Sequence, residues 1–246
     1  MSDQNPVIDL SANDIIYEGK SKIIYSGPDD NSYIMRYKNT ATAFDGEKKQ
    51  DFAGKGQLNA TISNLIYAYL TDNGIPTHLL ETYDDITQLV RKVEVVPVEV
   101  IVRNTAAGSF SRRFGVEEGA HLANTVVEFS LKSDELSDPM INESQITALS
   151  LATNEELALM TEQALAINDL LKALFRKANI LLVDFKLEFG RSTDGIILCD
   201  EITPDSCRLW DIDTMRKLDK DVFRRDLGDL LDGYREVLAK LQKVLG

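Results

Sequence analysis

The chain has 246 residues, 43% hydrophobic and 27% charged, the make-up of an ordinary globular protein with room for one large domain or two to three small lobes. Its 27 basic and 40 acidic residues leave a formal net charge of −13, which argues against a nucleic-acid partner because neutralising phosphates calls for basic surface. The start MSDQNPVIDL has no basic-then-apolar leader, and no run approaches the ~18 consecutive apolar residues of a span, so neither export nor a membrane partner is expected.

Residues 15–26, IIYEGKSKIIYS, are two apolar runs around Glu18-Gly19-Lys20-Ser21-Lys22 and predict a hairpin with a glycine at its tip. A P-loop is rejected, since that motif needs a glycine five residues before Gly19 and Asp14 stands there. A glycine hairpin carrying Lys20 and Lys22 can cover a nucleotide as the Gly-rich loop of kinases does; a plain surface hairpin with solubilising lysines is the alternative.

Residues 33–37 continue the sheet. Residues 39–57, with Asp45-Gly46 and Gly54-Lys55-Gly56, read as a long polar connection of the kind that is usually functional or mobile. Leu58, Ile62, Leu65, Ile66 and Leu70 then stripe a helix closed by Asn73-Gly74. Strands follow at Leu79-Leu80 and over 86–96. Pro97 is out of place in a central ladder, so it marks a strand end or a change of lobe, and the first domain boundary is set there.

In residues 103–115, RNTAAGSFSRRFG, an apolar strand stops at Arg103 and enters a small-residue loop with Gly108 and Ser109 before Arg112 and Arg113. Three arginines, a hydroxyl and a glycine suit a phosphate or carboxylate cradle; pairing with surplus carboxylates is the competing reading. A strand over 126–131 leads to the polar connector 132–146. Thr153-x-x-Glu156 is a capping box opening a helix with Leu157, Met160, Ala164, Ile167, Leu171 and Leu174 on its buried face, ending near Asn179.

Residues 181–210, LLVDFKLEFGRSTDGIILCDEITPDSCRLW, organise the rest. Val183, Phe185, Leu187 and Phe189 alternate with Asp184, Lys186 and Glu188, the period of a strand with one buried and one charged face. A turn over 191–195 and a return strand over 196–202 make a hairpin. Asp200 joins Lys186 and Glu188 on one side only if paired residue numbers sum to an even value, as when Gly190 faces Ile196. Two carboxylates flanking a lysine suit Mg²⁺ held through carboxylates plus substrate phosphates, with Lys186 facing those phosphates; a solvated face with ordinary ion pairs is the alternative. Residues 203–210 leave through Pro204 and present Asp205, Ser206 and Arg208 in a loop. Beyond Trp210, residues 220–245 predict an amphipathic helix broken or bent at Gly228 or Gly233. The two cysteines, Cys199 and Cys207, suggest neither a disulfide framework nor a four-ligand zinc site, and reduced thiols in a cytosol are expected. His78 and His121 stand alone and read as packing or surface residues rather than ligands.

Taken together, YEGKSK, FDGEKK, GKG, VPVEVIVRNTAAGS, DPMINES, VDFKLEFG and DEITPDSCRLWD resemble the short bacterial form of the SAICAR synthetase family of purine biosynthesis, from Tyr17 to the C-terminal helix. The resemblance implies an α+β, SAICAR synthetase-like fold with the nucleotide in a cleft between lobes. Its parts would be an N-terminal antiparallel sheet lobe with the glycine hairpin (1–96), an ATP-grasp-like central α+β lobe with ribotide and metal sites (97–210) and a C-terminal helical segment (211–246). It implies an ATP-dependent ligase that joins L-aspartate to the carboxylate of carboxyaminoimidazole ribonucleotide (CAIR), giving SAICAR, ADP and phosphate through an acyl phosphate.

By the same resemblance, Gly19, Lys20 and Lys22 would lie over the ATP phosphates with Lys132 nearby, and the backbone at Val95 would bond adenine. Glu188 and Asp200 would hold Mg²⁺, and Lys186 would bind phosphoryl oxygens. Arg103, Ser109 and Arg208 would bind the ribotide, and Asp45 and Asp205 would contact the nucleotide or the aspartate site. Lys186, Glu188, Asp200 and Arg208 would form the catalytic set. A small-molecule kinase of related lobed fold and a non-catalytic nucleotide sensor are the alternatives, and the arginine loop favours the ligase. A cytoplasmic homodimer is expected, as the commonest closed assembly of soluble enzymes.

Overall fold

In the computed structural model, which describes residues 9–43 and 46–246, β1 (Ile15–Glu18), β2 (Lys22–Ser26) and β3 (Ser32–Tyr37) run as an antiparallel meander with the expected glycine turn between the first two. The polar stretch that follows is not an open loop. It holds a separate hairpin, β4 (Thr40–Ala43) and β5 (Lys48–Asp51), and then helix α1 (Lys55–Asp72), three residues earlier than its apolar stripe suggests. TATA and KKQD carry no apolar alternation, so nothing in them announces a strand. β6 (Leu79–Thr82) and β7 (Thr87–Arg91) return to the first sheet, whose order is β1-β2-β3-β7-β6.

The second sheet begins with β8 (Glu94–Thr105), which runs straight through Pro97 instead of ending there. The proline falls where the ladder to the next strand shifts register, between the Gly190–Val95 and Glu188–Glu99 pairs, and at such a shift a missing N–H is tolerated. The strand also continues past Arg103, and the segment beyond is a short helix, α2 (Gly108–Phe114), rather than a loop. β9 (His121–Leu131) pairs with β8, and the polar connector contains a 3₁₀ turn (Asp134–Leu136), β10 (Met140–Ile141) and α3 (Glu143–Ala148).

Helix α4 (Asn154–Lys177) opens on the expected capping box: the Thr153 hydroxyl accepts from the Glu156 N–H at 3.1 Å, and the Thr153 N–H donates to the Glu156 carboxylate at 2.9 Å. It delivers the chain to β11 (Ile180–Ser192), β12 (Gly195–Cys199) and β13 (Cys207–Asp211). The sheet order is β10-β9-β8-β11-β12, with β13 also on β11. Val96, Val98, Val100 and Val102 of β8 and Phe185, Leu187 and Phe189 of β11 form, with Leu157, Met160, Ala164, Ile167 and Leu171 of α4, one buried core. Each such side chain contributes about 1.5–3 kcal/mol by leaving water, and the whole set fixes which face of β11 looks away from α4. The C-terminal helix is interrupted as expected. α5 (Asp221–Arg224) and α6 (Leu230–Leu245) are separated by Gly228 at φ 138, while Gly233 lies inside α6 against the backbone of Leu218.

Candidate functional site

Neighbours paired across an antiparallel ladder point to the same side, so the face of β11 away from α4 can be read in rungs. One rung is Arg103–Asp184–Arg208, on β8, β11 and β13. The next sets Glu128 and Ile101 beside Lys186, and the third is Ser130–Glu99–Glu188–Cys199. Asp184 and Glu188 are 3% and 4% exposed, which rules out a solvated face; together these rungs floor a cleft of about 670 Å³ roofed by the glycine hairpin. That volume is typical of a small-ligand site.

Both β12 and β13 pair with the same edge of β11, end to end: β12 takes residues 188–192 and β13 takes 180–185. Between them the chain leaves the sheet over 200–206, and a backbone hydrogen bond from the Lys186 N–H to Ser206 O at 2.9 Å crosses the gap. Arg208 therefore sits on a strand and not in the loop expected for it. Its guanidinium donates to both Asp184 oxygens (2.9 and 3.1 Å) and to Asp221 (3.0 Å).

The register also differs from the one expected. Glu188 faces Cys199 and Gly190 faces Ile197, an odd sum, which by ladder geometry would send Asp200 to the far side. The strand stops at Cys199, however, and Asp200 adopts a left-handed backbone at φ 67. This turn restores what the register takes away: the Asp200 carboxylate lies 3.6 Å from Lys186 Nζ and also pairs with Lys22. Lys186 Nζ donates to Glu188 (2.5 Å) and Glu99 (3.0 Å), and Lys132 Nζ to Glu188 (2.8 Å).

Burial would raise the Asp200 carboxyl, but Lys22, Lys186 and Lys132 overcome it and hold the group well below the usual carboxylate range. Conversely, burial would lower Lys186, and Glu188, Asp200 and Glu99 hold its ammonium far above the ordinary value. Lys186 is thus a fixed positive charge and not a proton carrier. Lys22, opposed by burial and supported by Asp200 and Glu201, is raised in the same way.

Lys20 pairs with Asp134 at the rim (2.7 Å), Gly19 and Val95 line the mouth, and Ser109 accepts from Arg103 at 3.2 Å. Arg112 and Arg113 stay out of the cleft lining, so the expected trio of arginines contributes Arg103 alone, and Arg113 pairs with Glu128 at 2.5 Å. Asp205 lines the cleft but is engaged by the protein itself, through Lys55, Asn59 (2.9 Å) and Tyr234 (2.5 Å). Asp45 lies outside the described residues. Sequence reasoning missed Glu99, Lys220 and Arg224, all in the lining. Glu99 was detectable, two positions beyond Pro97 on the face that carries Arg103.

Among the described residues no three acidic, histidine or cysteine side chains gather as a metal cage. Glu188 and Asp200 offer two carboxylates facing open cleft, a donor set that fits an ion taking its remaining oxygens from phosphates and water.

Residues 15–241 match the SAICAR synthetase family model. A protein of Finegoldia magna named phosphoribosylaminoimidazole-succinocarboxamide synthase is 53% identical over 228 residues, 92% of this chain and 98% of that one. The crystal structure of the synthase of the same name from Ehrlichia chaffeensis superposes with a TM-score of 0.91 at 44% identity, covering 93% of this chain and 98% of that one. A SAICAR synthetase in complex with ADP gives 0.88 at 45% identity, covering 92% and 96%. With its fold and nearly its whole length in common with these proteins, the chain belongs to the SAICAR synthetase family.

Proposed function

We infer that this chain is the ATP-dependent ligase that joins L-aspartate to the carboxylate of CAIR, yielding SAICAR, ADP and phosphate in purine biosynthesis. The observation that carries the reading is one cleft with two cationic ends: Lys22, Lys132 and Lys186 around Glu188 and Asp200, and Arg103 with Arg208 about Asp184. An ATP-dependent ligase acting on an anionic acceptor needs both ends.

A carboxylate accepts an amine poorly, so the γ-phosphoryl group of ATP moves to a CAIR carboxylate oxygen, breaking the bond to the ADP oxygen. The aspartate amine then attacks the acyl carbon of this acyl phosphate; phosphate leaves with the bonding pair and the amine nitrogen loses a proton. Lys186, Lys22 and Lys132 stabilise the phosphoryl oxygens, with Gly19 and Lys20 closing over the phosphates and Val95 beside the base. Because these charges are in place beforehand, they cost no reorganisation during transfer. Glu188 and Asp200 would hold Mg²⁺, which when bound neutralises charge on the phosphates. Arg103, Ser109 and Arg208 grip the ribotide, and the catalytic group is Lys186, Glu188, Asp200 and Arg208. Asp205 and Asp45 belong to the nucleotide or aspartate subsite.

The same reading puts the hinge at the segment around Val95, with the boundary between lobes at 96/97, the central lobe at 97–210 and the helical segment at 211–246, in a cytoplasmic homodimer. No helix among the described residues is long and apolar enough to cross a membrane. The test is phosphate release from ATP with each acceptor omitted in turn. Release is expected only with CAIR and aspartate both present. A kinase would instead form ADP with a single acceptor and no free phosphate, and a nucleotide sensor would bind ATP without turnover.

A further inference from the structure

Helix α1 presents two stripes to the interior. Ile62, Ile66 and Leu70 join the main core. A quarter-turn round, Lys55, Asn59, Ser63 and Tyr67 recur every fourth residue, and all four are buried at 0–1% exposure. Four successive polar side chains on one buried line of a helix are costly unless each has a partner.

Each of the four is directed at the segment that leaves the sheet between β12 and β13. The Tyr67 hydroxyl donates to Cys199 O (2.9 Å), the Ser63 hydroxyl accepts from the Ile202 N–H (3.4 Å), Asn59 Nδ2 donates to the Asp205 carboxylate (2.9 Å) and Lys55 pairs with the same carboxylate. Helix steps of four residues, a rise of about 6 Å, are thus matched by segment steps of three: 199, 202 and 205. The first contact lies one residue before Asp200. There the backbone must turn to φ 67, a conformation disfavoured for a non-glycine residue, and that turn alone brings Asp200 to the side of Lys186 and Glu188. His78 reinforces the same point, since its N–H donates to Leu198 O (2.9 Å) and its ring stacks obliquely on Tyr67 at 5.5 Å between centroids.

We propose that Tyr67, Ser63, Asn59 and Lys55 are positioning residues: a polar stripe on α1 that holds residues 199–205 so that Asp200 meets the magnesium-bound phosphates and Asp205 faces the cleft. For its metal and nucleotide this inference rests on the ligase reading, but the calorimetric arm of its experiment needs no turnover. Binding of ADP to the full chain is measured calorimetrically with and without Mg²⁺, beside the magnesium concentration giving half-maximal turnover. Tyr67→Phe is expected to weaken MgADP and raise that concentration three- to tenfold, the effect of one lost hydrogen bond, and to leave metal-free ADP binding unchanged. In an Asp200→Asn background the same substitution should have no further effect on ADP binding, because it acts through that carboxylate. Ser63→Ala provides a second, smaller perturbation should Tyr67→Phe fold poorly, and Thr61→Ala, on the solvent side of α1, should change nothing.

Equal weakening of ADP with and without Mg²⁺, full additivity with Asp200→Asn, or no change in either variant would overturn the proposal. Wild-type chain that binds MgADP yet fails to turn over CAIR and aspartate would sink the ligase reading instead.

Discussion

Arg208 is held so completely by neighbouring carboxylates that its removal reaches beyond one contact. Asp184 would keep Arg103 (2.9 Å), but its bonds from Arg208 would be gone, and Asp221 would retain Arg224 (2.7 Å). Arg208→Ala should cost about 1.5–3 kcal/mol of CAIR binding, the range for a charge-assisted hydrogen bond, while ATP affinity stays the same; titration calorimetry with each ligand checks this. At the other end of the cleft, Lys186→Ala or Glu188→Gln should lower turnover roughly a hundredfold with an unchanged circular-dichroism spectrum, and near-normal rates in either would remove β11 from the chemistry. His78 supplies a pH test. Burial lowers its pKa to about 4 from 6.5, so the folded state favours the neutral ring. For a base with a depressed folded value, the stability is fully present above 6.5 and drains away as pH falls through 4. Denaturant titrations at pH 7 and pH 4 should show wild type losing about 3 kcal/mol more than His78→Phe, which keeps a ring against Tyr67 but cannot charge.

Among elements, α4 has the plainest sequence signature and β12 to β13 the least plain. Thr153 and Glu156 close a capping box, and Arg191 ties Glu156 to the end of β11 at 2.6 Å. Thr153→Ala should lower stability by about 1 kcal/mol in thermal melts without altering kinetics, since nothing in the box reaches the cleft. The alternation in β11 was readable because period two and a charged face coincide there. Its register with β12 was not: register is a property of two strands and their turn, and one residue of slip changes the parity. The co-facing of Asp200 with Lys186 was therefore anticipated for the wrong reason; one left-handed residue supplies it. Likewise the α1 apolar stripe drew attention while Asn59, Ser63 and Tyr67, spaced as regularly, went unread and Lys55 fell in the connection before the helix, because nothing local says whether a polar stripe faces water or a partner.

At the scale of the molecule, the α+β class came with the family resemblance, while the glycine hairpin and the clustering of charge near residues 184–208 were legible from local pattern. Glu99 was lost because Pro97 reads as a strand end, whereas Lys220 and Arg224, returned to the cleft at the two ends of α5, are contributions that only tertiary closure reveals. The division of one β11 edge between two partners also limits how this protein can change length. The excursion over 200–206 must depart from one strand and re-enter the next along a single straight edge, while touching a helix whose pitch cannot adjust. An added or deleted residue there would put 202 or 205 out of step with α1. By contrast, the turn at Thr193-Asp194, exposed at the far tip of the same hairpin, can lengthen with no more than the exposed Arg91–Asp194 ion pair at stake. Growth of the chain by insertion is open at that tip and closed a few residues downstream.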